Sequence, residues 1–346
     1  LTSPDETIDD TQRQQSRLTY GFKLLISAAL LGILVYRATG NQTLIELWGQ
    51  PKKWEWLLLG GVAVSAGYTI SFVRWWVLTS GLGLRMSVGE AIRWGLVSQP
   101  FQLVSFGVAG GDLLRIYYLC QRHPDRKTHV ATTVVLDRAI GLTVMFAAVA
   151  MVGWFIDWPA LAAADVRRTV ALSWLWRLSI GLVGAVLIAG LTLGFIPLSS
   201  GSAPSLAGIP SRRVRTVLVN LLQLLPGYRA RPATLVVAVL LSLANVACLS
   251  GGVACVARSL TTEIPTVWDH LLITPISLIA GAAPLPGGLG SQELVMSWLY
   301  AAFSTEQRHT DYGFLVAVGF RVLTLGIAGI GWLLYLQSAT RGRPAN

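Results

Sequence analysis

The chain has 346 residues, 53% hydrophobic and only 13% charged, with a mean hydropathy of +0.58. Soluble domains carry about 25% charged residues, so half that share, with apolar runs of membrane length, excludes a soluble catalytic domain and specifies an all-α polytopic membrane protein. The formal net charge is +10, but Lys and Arg gather in tails and loops, the pattern of a topology signal and of contact with anionic lipid rather than of nucleic-acid binding.

In chain order, residues 1–19 are a polar tail with Arg13 and Arg17 beside Asp5, Glu6, Asp9 and Asp10. Apolar runs at roughly 20–37 and 56–78 predict the first two spans. The next apolar region, 88–119, is interrupted by Pro100 and then by Gly107, Gly110 and Gly111. Spans three and four are expected at 130–155 and 172–197, followed by a central basic loop, 198–232, with Arg212, Arg213, Arg215, Arg229 and Arg231. Span five is expected at 233–256. A second interrupted region, 271–303, carries Pro275, Pro284, Pro286, Gly287, Gly288 and Gly290. Span six, 313–336, leads to a basic tail, 337–346. Tryptophans such as Trp54, Trp76, Trp154 and Trp268 mark span ends at headgroup level.

Helix-breaking residues free backbone polar groups, which survive at membrane depth only inside protein or against a wet cavity. Both interrupted regions are therefore expected to be re-entrant or broken helical hairpins; ordinary kinked helices packed through small residues are the competing reading. Placing basic loops in the cytoplasm puts both termini there. Each half, about 20–165 and 166–336 of a single transmembrane domain 20–336, then holds two spans, a hairpin and one span. Three spans is an odd number, so the second half is inverted relative to the first, as in many secondary transporters.

Charges inside apolar segments are costly and mark functional hypotheses. Asp112 and Arg115 follow the first glycine cluster, Asp137 and Arg138 lie in span three, Gln292 and Glu293 follow the second cluster, and Arg321 lies in span six. Arg74, near the end of span two, is expected to snorkel to the interface. The three acids and three arginines can neutralise one another as structural ion pairs. Alternatively, Arg115, Arg138 and Arg321 can seat a phosphate in a polar cavity between the two tips, since guanidinium binds phosphate oxygens in a bidentate fork. Asp112, Asp137 and Glu293 then balance them. Gly110, Gly111, Gly287, Gly288 and Gly290 would permit the tight backbone, and Pro284 and Pro286 would stop the descending helix. Cys120, Cys248 and Cys255 and the scattered histidines make no metal-ligand pattern, and no cofactor is expected.

The segments Gly110-Gly111-Asp112-Leu113-Leu114-Arg115, Asp137-Arg138-Ala139-Ile140-Gly141-Leu142 and Pro284-Leu285-Pro286-Gly287-Gly288-Leu289-Gly290-Ser291-Gln292-Glu293 resemble the transmembrane flippase-like domain of lysylphosphatidylglycerol synthases. The resemblance runs from about Tyr20 to Leu336. It implies lipid handling: a non-enzymatic flippase-like transporter of a phospholipid or a polyprenyl- or glycolipid-type phosphate, in the cytoplasmic membrane of a prokaryote. About ten residues follow the last span, so a stand-alone member is expected, without the aminoacyl-transferring domain of the full-length enzymes. A homodimer is compatible with this reading. The alternatives are a membrane-embedded lipid-modifying transferase or hydrolase, for which no metal or nucleophile motif is found, and a non-transporting partner in an envelope pathway.

Overall fold

The computed structural model describes residues 52–104, 109–195, 228, 231–261, 264–283, 288–303 and 309–340. The expected first span, the polar tails, most of the central loop, and Gly107, Pro284, Pro286 and Gly287 lie outside the described residues. In chain order, α1 is Trp54–Gly81, α2 Val88–Val104, α3 Ala109–Arg122, α4 Lys127–Val152, α5 Trp158–Ala164, α6 Val166–Phe195, α7 Pro232–Leu260, α8 Val267–Gly281, α9 Ser291–Ala302 and α10 His309–Thr340. No strand occurs among the described residues. Five helices, α1, α4, α6, α7 and α10, contain segments long and apolar enough to cross a membrane, and they coincide with the second to sixth expected spans. Their outer faces carry Leu58 and Val62 on α1, Leu187 and Ile188 on α6, and Val322 and Leu333 on α10, all exposed. Apolar side chains on the outside of a helical bundle require a lipid solvent.

Small residues set the central contact. α1 lies along α7, where a Cβ on Gly60 would stand 3.2 Å from the Gly252 carbonyl and a Cβ on Gly252 would stand 2.6 Å from Val64 Cγ2. Without a hydrophobic effect between helices in lipid, close backbone approach and hydrogen bonds supply the packing energy. Asn245 Nδ2 accordingly donates to the Gly67 carbonyl at 2.6 Å across the same seam. Cys248 and Cys255 line it as small packing residues beside Gly67 and Gly60.

The two interrupted regions each fold as a pair of short helices, α2 with α3 and α8 with α9. The outer ends of α2 and α3 lie side by side: Glu90 pairs with Arg122, and the His123 ring meets the Arg85 carbonyl at 3.3 Å. Arg93 donates to Ser338 of α10, and Arg231, before α7, reaches Ser80 and Gly81 of α1. These basic residues thus share one end of the bundle. The outer ends of α8 and α9 lie at the opposite end, tied by a hydrogen bond of 2.7 Å between the His270 ring and Tyr300. His270 is buried in the first turn of α8. Arg168, at the start of α6, donates to the Ala301 carbonyl at that same end. The hairpins therefore enter the bundle from opposite ends.

Pro100 and Pro275 do not form the breaks; both lie inside helices, α2 and α8. Pro100 removes the N–H that would bond the Leu96 carbonyl, and Gly331 of α10 lies against that carbonyl so closely that any Cβ would collide with it. Gly331→Ala is expected to push α10 off α2 at a cost of about 1–3 kcal/mol, the range for overpacking a tight contact. A lowered thermal unfolding midpoint in detergent would register it.

Candidate functional site

α3 is amphipathic in the sense opposite to a soluble helix. Leu113 and Tyr117 are exposed on its outer face, whereas Arg115 is buried and Asp112 faces inward. At its start, a Cβ on Gly111 would collide with the Gln102 side chain and lie 2.7 Å from the Ser98 carbonyl. Gly110 and Gly111 sit in the first turn of α3, and neither has a positive φ. Gly111 thus serves close approach to α2, and neither described glycine of this cluster serves a left-handed backbone. The second tip needs both. Gly288 (φ 63°) and Gly290 (φ 88°) are left-handed, and a Cβ on Gly288 would collide with the Gly281 carbonyl at the end of α8. Gly290 caps α9, and its N–H donates to Glu293 Oε2 at 2.8 Å.

Three buried or half-buried ion pairs follow among the described residues, two of them from the helices that leave these tips. Asp112 takes the fork of Arg138 on α4, accepting from Nε and Nη2 at 2.7 Å each. Glu293 accepts from Arg321 Nε on α10 at 2.7 Å. Asp137 accepts from Arg74 Nε on α1 at 2.7 Å, and Arg74 also donates to Ser242 of α7 at 2.8 Å. Arg115 donates to Ser98 at 3.1 Å, lies 4.0 Å from Asp112, and sits over the rings of Phe72 and Trp75.

Arg74 does not snorkel. It is 5% exposed, and Asp137, next to Arg138 on α4, holds it inside the bundle. Gly141, one turn beyond Asp137, makes the room: a Cβ there would stand 3.2 Å from the Arg74 guanidinium nitrogens. The desolvated pair has its charges matched and a further hydrogen bond from Ser242, the conditions under which a buried ion pair is tolerated.

Between the tips lies a cavity of about 480 Å³. Asp112, Arg115, Arg138, Arg321 and Gln292 all line it, as does Arg74. Asp137 and Glu293 do not; they stand behind Arg74 and Arg321. Tyr68, Gln99, Gln102 and Asn245, none singled out from the sequence, complete the polar wall, with apolar cover from Phe72, Met145, Leu249 and Ile279. Four guanidinium groups thus meet three carboxylates, leaving one positive charge in excess. Gln292 is 6% exposed, and its Nε2 is buried with no hydrogen-bond partner among the described residues. A buried donor without an acceptor is costly unless a ligand supplies one.

Residues 22–331 match the family profile described as the Lysylphosphatidylglycerol synthase TM region. The chain belongs to that family. A comparison with curated proteins returns no match. The matched segment takes in both helical hairpins and every cavity-lining residue from Tyr68 to Ala328. The protein is a multi-pass membrane protein in which Arg74, Asp112, Arg115, Arg138 and Arg321, from four of the described helices, gather around a central cavity.

Proposed function

We propose that the protein is a flippase-like transporter that moves a phospholipid or lipid-linked phosphate headgroup between leaflets through the central cavity. The observation that carries this reading is the convergence of Arg115, Arg138 and Arg321 on one cavity with a net positive charge, between two helical hairpins that enter from opposite ends. Guanidinium forks suit phosphate oxygens. The unpartnered Gln292 amide adds a donor for one of them. Excess positive charge in a cavity sheltered from bulk solvent by the bundle favours an anion, and the apolar outer faces of the bundle would let its acyl chains stay in lipid.

In this reading the hairpins are re-entrant, with tips near the bilayer midplane, and the halves form an inverted repeat. Corresponding charge pairs support it: Asp112 in the first turn of α3 pairs with Arg138 on the next long helix, and Glu293 in the first turn of α9 pairs with Arg321 on the next long helix. Helix packing follows suit, since α2 of the first hairpin packs on α10 and α8 of the second packs on α4. Unwound segments at such a position are where transporters of this architecture hold charged ligands. The basic end of the bundle, with Arg85, Arg93, Arg122 and Arg231, would face the cytoplasm of a prokaryotic cell, together with both termini.

Reconstitution into vesicles tests the proposal. Leaflet exchange of a fluorescent phosphatidylglycerol or of a labelled polyprenyl phosphate is expected to accelerate with protein present. No acceleration of either, with or without a proton gradient, would overturn it.

A further inference from the structure

Of the three carboxylates around the cavity, only Asp112 stands on its wall. Glu293 is 3% exposed at its side chain and tied to the Gly290 backbone as well as to Arg321; Asp137 is 2% exposed and locked to Arg74. Asp112 is 15% exposed, and it occupies both donors of the Arg138 fork. Arg138 is the most accessible of the paired arginines that line the cavity, at 37% against 6% for Arg74 and 13% for Arg321. Any phosphate that reaches this fork from the cavity meets a carboxylate already bound there.

Resting on the functional reading above, we propose that Asp112 is an exchangeable internal counter-ion. With no lipid bound it holds Arg138 in place and keeps the fork from being left unpaired. An entering phosphate takes the fork, and Asp112 passes to Arg115, one helical turn away on α3 and already 4.0 Å distant. Arg115 is suited to receive it. Its guanidinium is fixed by Ser98 and by the Phe72 and Trp75 rings, and Asp112 is its nearest carboxylate partner among the described residues. The exchange keeps both anions opposite a guanidinium throughout, which avoids stranding an unpaired charge inside the bundle. It also sets a threshold: a ligand must compete with a carboxylate, so neutral and zwitterionic headgroups without a free phosphate face do not open the pair. Release works in reverse, with Asp112 displacing the phosphate.

The test is equilibrium binding by detergent-solubilised protein, with short-chain phosphatidylglycerol in one arm and a short polyprenyl phosphate in the other, which separates the two sources of a lipid phosphate. Asp112→Asn removes the competing charge at nearly constant shape. It is expected to bind the lipid that wild type binds at least about fivefold tighter, because a like charge no longer opposes it. Glu90→Gln, an acid at the outer end of α2, should leave affinity within about twofold and controls for net charge. Asp112→Ser repeats the test if the asparagine variant does not fold. Unchanged or weaker binding in the folded variants would overturn the exchange while leaving lipid binding by wild type intact. Wild-type protein that binds neither lipid would remove the functional reading and the exchange with it. A lipid-bound structure of the wild-type protein gives an independent answer: Asp112 nearer to Arg115 than to Arg138 supports the exchange, and an intact Asp112–Arg138 fork sinks it.

Discussion

Arg74→Ala is expected to destabilise the protein by about 3–5 kcal/mol, the cost of leaving a buried carboxylate without its partner. Asp137 is 1% exposed, and its ion pair at 2.7 Å is with Arg74. Removing the guanidinium also takes the donor from Ser242 and opens space beside Gly141. Asp137 is then left among the helices without the guanidinium that matched its charge. The measurement is the midpoint of thermal unfolding in detergent, with the double variant Arg74→Met, Asp137→Leu as comparison. Replacing both partners with apolar groups should recover most of the loss, because two desolvation costs disappear with the pair. A single variant as stable as wild type would show that the pair is not the lock between α1 and α4.

Arg138→Ala should show the opposite profile: a large loss of transport with a small loss of stability. Arg138 faces the cavity, and its partner Asp112 has Arg115 within 4.0 Å to take over the charge. Lipid exchange in reconstituted vesicles is expected to fall by about tenfold to a hundredfold, the equivalent of one or two charge-assisted hydrogen bonds. Arg138→Lys keeps the charge without the planar fork and should restore only part of the rate. Equal transport in wild type and in folded Arg138→Ala would remove the cavity as the route. The pairing of these two variants matters, since it separates an arginine that holds the bundle together from one that meets the cargo. Sequence position alone ranks Arg74 as peripheral; in the structure it is the more deeply buried of the two.

Much of the architecture was legible in advance. Among the described residues, five helices fall where apolar runs of bilayer length lie, and each interrupted region holds two short helices. Transfer from water to hydrocarbon acts on each stretch of chain by itself, so composition over about 20 residues suffices to place a span. The reason for each glycine was less legible. Gly111 serves close approach to α2, whereas Gly288 and Gly290 serve a left-handed turn, and both kinds are the same letter in the sequence. Pro100 and Pro275 misled in the same way: a proline inside a helix is tolerated where a neighbouring helix comes close, as Gly331 does at Leu96, and no local pattern reports that neighbour.

The candidate site divides along the same line. That Asp112, Arg115, Asp137, Arg138, Glu293 and Arg321 are unusual follows from their apolar surroundings in the sequence alone. The partner of each does not. Adjacent residues Asp137 and Arg138 on α4 take different partners, one Arg74 and the other Asp112. Gln292 gains its interest only from a buried amide with no partner. The amino-acid sequence by itself determined the membrane class, the positions of the spans and breaks, and the set of charges that had to be sheltered. Which charges meet, and which of them face a cavity, was decided by the crossing of helices far apart in the chain, because an ion pair depends on distances of a few ångströms that only tertiary packing fixes.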